Sequence, residues 1–535
     1  VTLPDPEAWP VADQSPIDSA ADPSATDLVA DPSADILAQR AASTPDATAV
    51  VDADGGSEWT YAELDDRASA RAATVEAVAD TDLDGCRVGL LLGTRPAVAG
   101  LWFALGRLGA SAVALNVELP TERLRSQAER ADIDLLVCEG ATEERASAVA
   151  PGTPIASVDD PAADEAAPLP LGDPAAVPPS ARPLDAERVV MFTSGTSGEP
   201  KGVRLTRGNL VASAVGSASR LGVEPDDRWL VCLPTYHMGG LAPVVRSTLY
   251  GTTAVVQREF DAETTGRVLD EFDITAVSLV PTMLTRLLDA GWTPAESLRF
   301  VLLGGAPASR ELIERCAERG VPACPTYGMT ETASQIATAT PEASRAHPDT
   351  VGRPLEPTTV TVLADDGTPL DAGQSGELVV SGPPVSPGYL DDDQTAAAFD
   401  DRGFHTGDLG YADADGRLWV VGRVDDAIVT GGENVHPARV VDALRDVDGV
   451  ADAAVVGLPD EEWGQRVAAL VVPADGPAGK PGLTADSVRD ALGGRLAAFA
   501  APKTVGFADE IPRTHSGTVD REAVRERLAA VRDET

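Results

Sequence analysis

The sequence predicts an α/β protein: a large N-terminal domain of parallel, helix-covered sheets carrying a small β region, followed by a small α+β C-terminal domain. Three observations carry this. The chain has 535 residues, too many for one hydrophobic core, and its 43% of apolar residues suffices to fill more than one. Short apolar runs alternate with helical-period stretches at the spacing of βαβ units, which calls for parallel strands with helices packed on them. Residues 422–535 open on a charged break and have the length and mixed pattern of a separate compact unit.

Residues 1–30, rich in Asp, Pro, Ser and Ala, read as a mobile acidic tail. The alternation then begins. VGLLL (88–92), the apolar PAVAGLWFALGRLG, AVAL (112–115), the amphipathic PTERLRSQAERA and DLLVC (134–138) read as strand, helix, strand, helix and strand. Residues 141–187 are rich in Ala, Pro and Asp without periodicity, and read as a surface excursion. From Glu187 strands are expected at VVMFT, TAVV (253–256), AVSLV (276–280) and RFVLLGG. TTVTVL and GELVVSG, within 357–382 and bounded by Asp, Gly and Pro, read as the small β region. The break at RVDD sets the domain boundary near Gly422, giving domains at 31–421 and 422–535. No internal repeat is visible.

The charge excludes some functions. With 85 acidic residues against 42 basic, the formal charge of −43 repels nucleic-acid phosphates and anionic lipid, so no nucleic-acid partner is expected. Only three of the basic residues are lysines: Lys201, Lys480 and Lys503. An acidic surface nearly free of lysine resembles the bias of salt-in halophiles, and predicts a halophilic archaeal host. No basic-then-apolar leader opens the chain, and no stretch reaches the roughly 18 apolar residues of a membrane span, so a cytoplasmic protein without membrane insertion is expected. The five cysteines lack CxxC spacing and read as reduced core thiols. His347, His405, His436 and His515 are too scattered to suggest a metal cluster. Self-association into a homo-oligomer is left open.

MFTSGTSGEPKG (191–202) gathers hydroxyls and glycines around Lys201. Successive glycines let backbone N–H groups converge, and hydroxyls and an ammonium add donors, an arrangement suited to phosphate oxygens. It is not a Walker A loop, because Pro200 and Gly202 stand where that pattern needs Gly and Ser or Thr. An ordinary turn is the alternative. A lysine kept in a chain that otherwise uses arginine favours phosphate, which a compact ammonium on a flexible stem serves where a planar guanidinium would not fit.

FTSGTSGEPKGV, LLGGAP (302–307), TYGMTET (326–332), FHTGDLG (404–410) and GRVDDAIVTGGENVHP (422–437) resemble, in order, the core motifs of the adenylate-forming acyl-CoA ligase superfamily. The resemblance spans the chain after the tail. It implies a large N-terminal domain, a small mobile C-terminal domain, and the use of ATP, Mg²⁺ and coenzyme A on a small-molecule carboxylate. A carboxylate would attack the α-phosphate of ATP to give an acyl-adenylate, and the thiol of coenzyme A would then take the acyl group.

By that resemblance Thr193, Ser194, Gly195, Thr196, Ser197, Gly198 and Lys201 hold phosphate. Gly304, Gly305, Ala306 and Pro307 border the base, as do Thr326, Tyr327, Gly328 and Met329, with the Tyr327 ring against adenine. Thr330 offers a hydroxyl to the α-phosphate and Glu331 a hard oxygen to Mg²⁺, which favours one or two carboxylates plus phosphates. The same Thr and Glu fit a helix N-cap equally well. Asp408 accepts from the ribose hydroxyls, although an Asp after Gly is also a common turn residue. Arg423 lies near the nucleotide, Asp425 is the hinge, and GGEN (431–434) enters the site for thioester formation. His237, in LPTYHMGGL, lines the acyl pocket, where a lone His has a structural reading too.

YGMTETASQIATATPEA, LLGGAPAS and GLPDEEWGQRVAALVV resemble most closely the 2-succinylbenzoate–CoA ligases of menaquinone biosynthesis. That implies Ser334 and Gln335 near an aryl substrate with His237 across from them; another aryl or medium-chain acyl-CoA ligase is the alternative. One departure matters. The superfamily's last motif, approximately PRTxSGK, here reads PRTHSGT, with Thr518 at the lysine position. Either the chain binds nucleotide or acyl-CoA without turnover, or another cation (Lys503, Arg513, His515 or potassium) supplies the charge.

Overall fold

A computed structural model describes residues 31, 33–163, 165–173, 177–193, 200–435, 437–460, 462–474, 483–513 and 519–530. The tail expected at 1–30 lies outside them. The chain forms two compact units, Val1–Val360 with Val380–Phe404, and Thr361–Val379 with His405–Thr535.

The first unit holds two large sheets. One runs in the order Arg353–Pro354, Ser334–Thr338, Ala323–Met329, Phe300–Leu303, Ala276–Leu279, Arg228–Val231, Thr253–Val256, Thr48–Asp52, Glu58–Thr60. Its middle is parallel, from Ala323–Met329 across to Thr48–Asp52. The other runs Gly388–Tyr389, Lys201–Thr206, Glu187–Thr193, Ser111–Ala114, Arg87–Leu91, Leu135–Cys138, Ile155–Ser157, Ala166–Pro168. It is parallel from Glu187–Thr193 onward and antiparallel before it.

Each strand read from the sequence is present to within two residues at either end. The parallel strands are runs of Val, Leu, Ile and Ala buried on both faces, as helices on both sides require. Helix Ala97–Leu108 explains its own composition. Leu101, Trp102 and Leu105 pack with one sheet's Leu90 and Ala112, while Ala99 and Phe103 pack with the other sheet's Val50 and Val256. A helix wedged between two sheets has no solvent face and is apolar around most of its circumference. Its Arg107, 3% exposed, is held by Asp35, Asp65 and Ser69.

The surface-excursion reading of residues 141–187 needs correction. Helix Glu143–Val149 and strands Ile155–Ser157 and Ala166–Pro168 lie within it, and the strands extend the second sheet in parallel. Three-residue strands are too short to show a period, and bonding of Ile155–Ser157 to Leu135–Cys138, and of Ala166–Pro168 to Ile155–Ser157, rather than propensity places them.

The second unit contains the expected small β region, with Tyr411 and Trp419 paired across two strands and their rings stacked at 5.1 Å. Beyond it, strands Ile428–Thr430, Glu433–Val435, Val450–Asp460, Gly464–Pro473 and Thr504–Phe507 form one sheet. Helices Pro437–Arg445 and Ala485–Leu492 cover one face through Val440, Leu444 and Val488, and Arg521–Ala529 covers the other through Val524 and Leu528. This is the expected α+β unit. Cys138, Cys232, Cys316 and Cys324 are free and buried, and burial pushes the Cys232 thiol up to about 12, so these are inert core thiols. Among the described residues no helix is long and apolar enough to cross a membrane.

Candidate active site

In a parallel sheet all strands end at the same edge, and the loops leaving it form the crevice where ligands bind in open α/β folds. Three such loops come from strands of the first sheet, 232–237 after Arg228–Val231, Val280 after Ala276–Leu279 and Gly304–Pro307 after Phe300–Leu303, and the far end of strand Ala323–Met329 extends past the edge beside them. They bring His237, the LLGGAP glycines and the TYGM residues to one edge. Thr94, just past strand Arg87–Leu91 of the other sheet, accepts from the Thr235 backbone N–H at 3.2 Å, so the corresponding edges meet here.

The close approach of these loops is built in. At Gly304 a Cβ would lie 2.7 Å from Thr326 Cγ2, and at Gly328 it would lie 1.7 Å from the Ser334 carbonyl oxygen. No other residue fits Gly328 without moving the hairpin. That hairpin pairs Met329 with Ser334 and Gly328 with Gln335. Between them Thr330–Thr332 make one 3₁₀ turn, and Ala333 and Ser334 take φ of 51° and 112°. Positive φ at two successive non-glycine residues is strain of the kind that persists where the surroundings fix it. Ser213 Oγ fixes it here, donating to the Ala333 carbonyl at 2.7 Å.

The turn delivers Glu331 to Tyr389, whose ring lies by Lys201. Glu331 is 8% exposed, and its Oε1 accepts from the Tyr389 hydroxyl at 2.9 Å. Lys201 Nζ stands 5.0 Å from the centroid of the same Tyr389 ring, in cation–π range. Tyr389 is 3% exposed and pairs across the strand with Val203. Lys201 pairs with Thr193, so the two strands converge on the glycine-rich loop. Ser194, Gly195, Thr196, Ser197 and Gly198 lie outside the described residues. At position 202, where a Walker A loop has Ser or Thr, a Cβ would sit 2.6 Å from Leu390 Cδ1, so a side chain there needs Leu390 to shift.

Thr193, Lys201, Thr326, Tyr327, Met329, Thr330 and Ser334 are half-buried, as are Gly304 and Ala306, while Gly305, Pro307 and Gly328 are exposed. Gln335 is 2% exposed. Its Nε2 donates to Thr338 Oγ1 at 2.7 Å, and its Oε1 has no hydrogen-bond partner among the described residues. His237 caps helix Met238–Tyr250 with its backbone alone, and its ring meets Tyr236 edge-on at 4.9 Å. Burial holds its pKa below the ordinary histidine value, so the ring is neutral at pH 7.

In the second unit Asp408 and Arg423 are cross-strand partners joined by an ion pair of 3.0 Å, with Asp408 buried. Asp425 lies in the 3₁₀ turn Val424–Asp426, which follows strand Leu418–Arg423 and precedes Ile428–Thr430. Gly431 and Gly432 both take positive φ. Of the cations considered as substitutes at position 518, Arg513 pairs with Asp452 at 2.8 Å, and Lys503 Nζ lies 3.8 Å from the Trp463 ring centroid. His515 and Thr518 lie outside the described residues. Sequence reasoning missed Tyr389; its signal was a lone Gly-Tyr after GELVVSG, with nothing local to mark it.

A glycine-rich sequence between two paired strands, a lysine and a carboxylate joined through one tyrosine, and three loops and a strand end on one sheet edge suit a nucleoside triphosphate with a metal. Among the described residues no three His, Cys, Asp or Glu side chains cluster as metal ligands. Glu331 alone with phosphate oxygens fits Mg²⁺, which keeps few protein ligands. A family model described as AMP-binding enzyme matches residues 37–390, and one described as AMP-binding enzyme C-terminal domain matches 441–518. The 2-succinylbenzoate–CoA ligase of Bacillus licheniformis is 37% identical over 486 residues, 91% of this chain and 98% of the relative. The o-succinylbenzoate CoA synthetase of Bacillus subtilis, solved in complex with the acyl-adenylate intermediate OSB-AMP, is 34% identical with a TM-score of 0.82 over 93% of this chain and 98% of that one. The same enzyme with ATP and magnesium ion gives 33% and 0.81, over 93% and 99%.

Proposed function

The chain belongs to the AMP-binding enzyme family, and from that premise we propose that it is the AMP-forming ligase that joins 2-succinylbenzoate to coenzyme A in menaquinone biosynthesis. The observation that carries this is end-to-end similarity to 2-succinylbenzoate–CoA ligases, including one solved with the acyl-adenylate of that acid. In the first half-reaction a substrate carboxylate oxygen attacks the α-phosphorus of ATP and pyrophosphate leaves. In the second the thiol of coenzyme A attacks the acyl carbon and AMP leaves with the bridging oxygen.

Lys201 and the 193–198 loop hold the phosphates, with Lys201 offsetting charge that develops on the departing pyrophosphate. Thr330 donates to the α-phosphate. Glu331, with its carboxylate aimed by Tyr389, is the protein ligand of Mg²⁺, which when bound neutralises phosphate charge and orients the triphosphate. The loop at 304–307 and Tyr327 border the base, and Asp408 takes the ribose hydroxyls, braced by Arg423. His237, Ser334 and Gln335 border the aryl acid. A neutral His237 is suited to an aromatic face, and the Gln335 amide to a polar group of the substrate. The piece that moves between the two halves begins near Gly422 and turns about Asp425. The acidic surface and scarcity of lysine favour the cytoplasm of a halophilic archaeon.

The test is pyrophosphate release in molar KCl with ATP, Mg²⁺ and a panel of acids. We expect 2-succinylbenzoate to show a higher kcat/KM than benzoate, cinnamate or octanoate, since a buried polar group left without its partner costs ~1–3 kcal/mol. Comparable turnover of octanoate would leave a general acyl-CoA ligase. Thr518 gives a second reading its footing: if wild-type protein releases no pyrophosphate with any acid, the chain binds nucleotide without adenylating.

A further inference from the structure

Within the first unit, helix Arg207–Leu221 starts on a reciprocal cap. The Thr206 hydroxyl accepts from the Asn209 N–H at 3.2 Å, and Asn209 Oδ1 accepts from the Thr206 N–H at 2.9 Å. Asn209 is buried, and its two amide hydrogens are spent outside the helix. Nδ2 donates to the Pro383 carbonyl and to the Val385 carbonyl, each at 2.8 Å. Ser213 stands four residues further on, hence on the same helix face, and its Oγ holds the Ala333 carbonyl.

One face of one helix therefore grips two segments that are far apart in sequence, 383–385 and the turn that follows Glu331. These segments carry the two partners of the hydrogen bond between Tyr389 and Glu331. They also meet directly, the Ser386 N–H donating to the Glu331 carbonyl at 2.7 Å. Ser386 Oγ donates in turn to the Arg204 carbonyl at 2.6 Å, next to the pairing of Tyr389 with Val203. The stretch needs this support. Pro383, Pro384 and Pro387 have no N–H, so backbone bonds alone do not tie 383–387 as they tie a strand. Side chains from the helix and from Ser386 supply the ties instead.

We propose that Asn209 is a positioning residue for adenylation: by tying 383–385 to the helix that braces the Glu331 turn, it sets the separation at which the Tyr389 hydroxyl aims the Glu331 carboxylate. The inference rests on the reading of Glu331 as the Mg²⁺ ligand of an adenylating enzyme. Without the two amide donors, 383–386 moves off the helix and Tyr389 follows it, while Ser213 keeps the turn. The carboxylate then loses its aim, and a misplacement of ~1 Å costs up to ~10²-fold in rate.

The test is a double-mutant cycle on the full-length protein, read by ATP–pyrophosphate exchange and by transfer from presynthesised acyl-adenylate to coenzyme A. Asn209→Ala should slow exchange by ~10–100-fold and spare transfer. In the Tyr389→Phe background the same change should cost less than ~2-fold more, because residues that act through one hydrogen bond do not lose it twice. A crystal structure of Asn209→Ala without nucleotide should show the Tyr389 hydroxyl farther than ~3.5 Å from Glu331. Full exchange in Asn209→Ala, equal losses in both half-reactions, losses that multiply in the double variant, or an intact Tyr389–Glu331 bond in the variant's structure would each overturn the proposal. Asn209→Asp, which keeps the acceptor for the Thr206 N–H and lacks the donors, replaces Asn209→Ala if that variant does not fold. Wild-type protein without exchange on any acid would remove the proposed function, and the variant's crystal structure then decides the positioning role by itself.

Discussion

Replacing Tyr389 by Phe separates two interactions that meet on one side chain. The phenyl ring stays under Lys201, 5.0 Å from its ammonium, while the hydroxyl that donates to Glu331 at 2.9 Å is lost. A hydrogen bond to a charged group is worth ~1.5–3 kcal/mol, and water is poorly placed to replace it when Glu331 and Tyr389 are 8% and 3% exposed. If the aim of the Glu331 carboxylate is used in the adenylation transition state, that energy is ~10–150-fold in rate at ~1.36 kcal/mol per decade. The KM for ATP should stay within about threefold, because Lys201 keeps its ring. Tyr389→Leu removes the ring too, adding ~0.5–2 kcal/mol, or a further ~2–30-fold, through a rise in KM. The assay is ATP–pyrophosphate exchange beside single-turnover transfer from presynthesised acyl-adenylate to coenzyme A. Thermal midpoints of both variants control for unfolding. Equal losses in the two half-reactions, or exchange unchanged in Tyr389→Phe, would refute the link from Lys201 to Glu331.

Lys201→Ala should slow pyrophosphate release by ~10²–10³-fold and spare transfer from preformed adenylate, as measured in the same two assays. Thr518→Lys should speed adenylation by up to ~10²-fold if no native cation stands in, while Lys503→Ala or His515→Ala should slow it selectively if one does. The burial-lowered pKa of His237 means that the unfolded chain takes up its proton first as pH falls. The stability present above about pH 6.5 is therefore lost between that value and the lower folded pKa, and His237→Gln should flatten this part of a midpoint-versus-pH curve. From the charge of −43, the thermal midpoint should climb between 0.1 and 2 M KCl, and a flat response would count against the halophilic reading.

The parallel core was legible because both of its faces are buried. TAVV at 253–256 and RFVLLGG are unbroken apolar runs, and the strands lie where those runs are, at Thr253–Val256 and Phe300–Leu303. The short outer strands Ile155–Ser157 and Ala166–Pro168 left no such trace, since three residues held by a neighbour's hydrogen bonds need no pattern of their own. The candidate site divides in the same way. Lys201, Gly304 and Thr330 occur in contiguous sequence motifs whose glycines and hydroxyls are the chemistry itself, so composition exposes them.

Tyr389 holds its place by different means. It reaches Lys201 across 188 residues of sequence and Glu331 across 58, through one antiparallel pairing of Tyr389 with Val203 and a strained turn braced by Ser213. Nothing in Ser-Pro-Gly-Tyr-Leu states that pairing, because strand register belongs to two segments at once. The asymmetry has a physical origin. A group that meets the ligand must carry the ligand's chemistry, which residue type reveals. One that aims such a group needs only the right position, and position is a property of the closed fold. Gly328 shows both kinds of constraint at a single residue. Its place in TYGMTET marks it as part of a motif, yet what demands glycine is the Ser334 carbonyl, 1.7 Å from where a Cβ would stand. That contact exists only once the hairpin has doubled back.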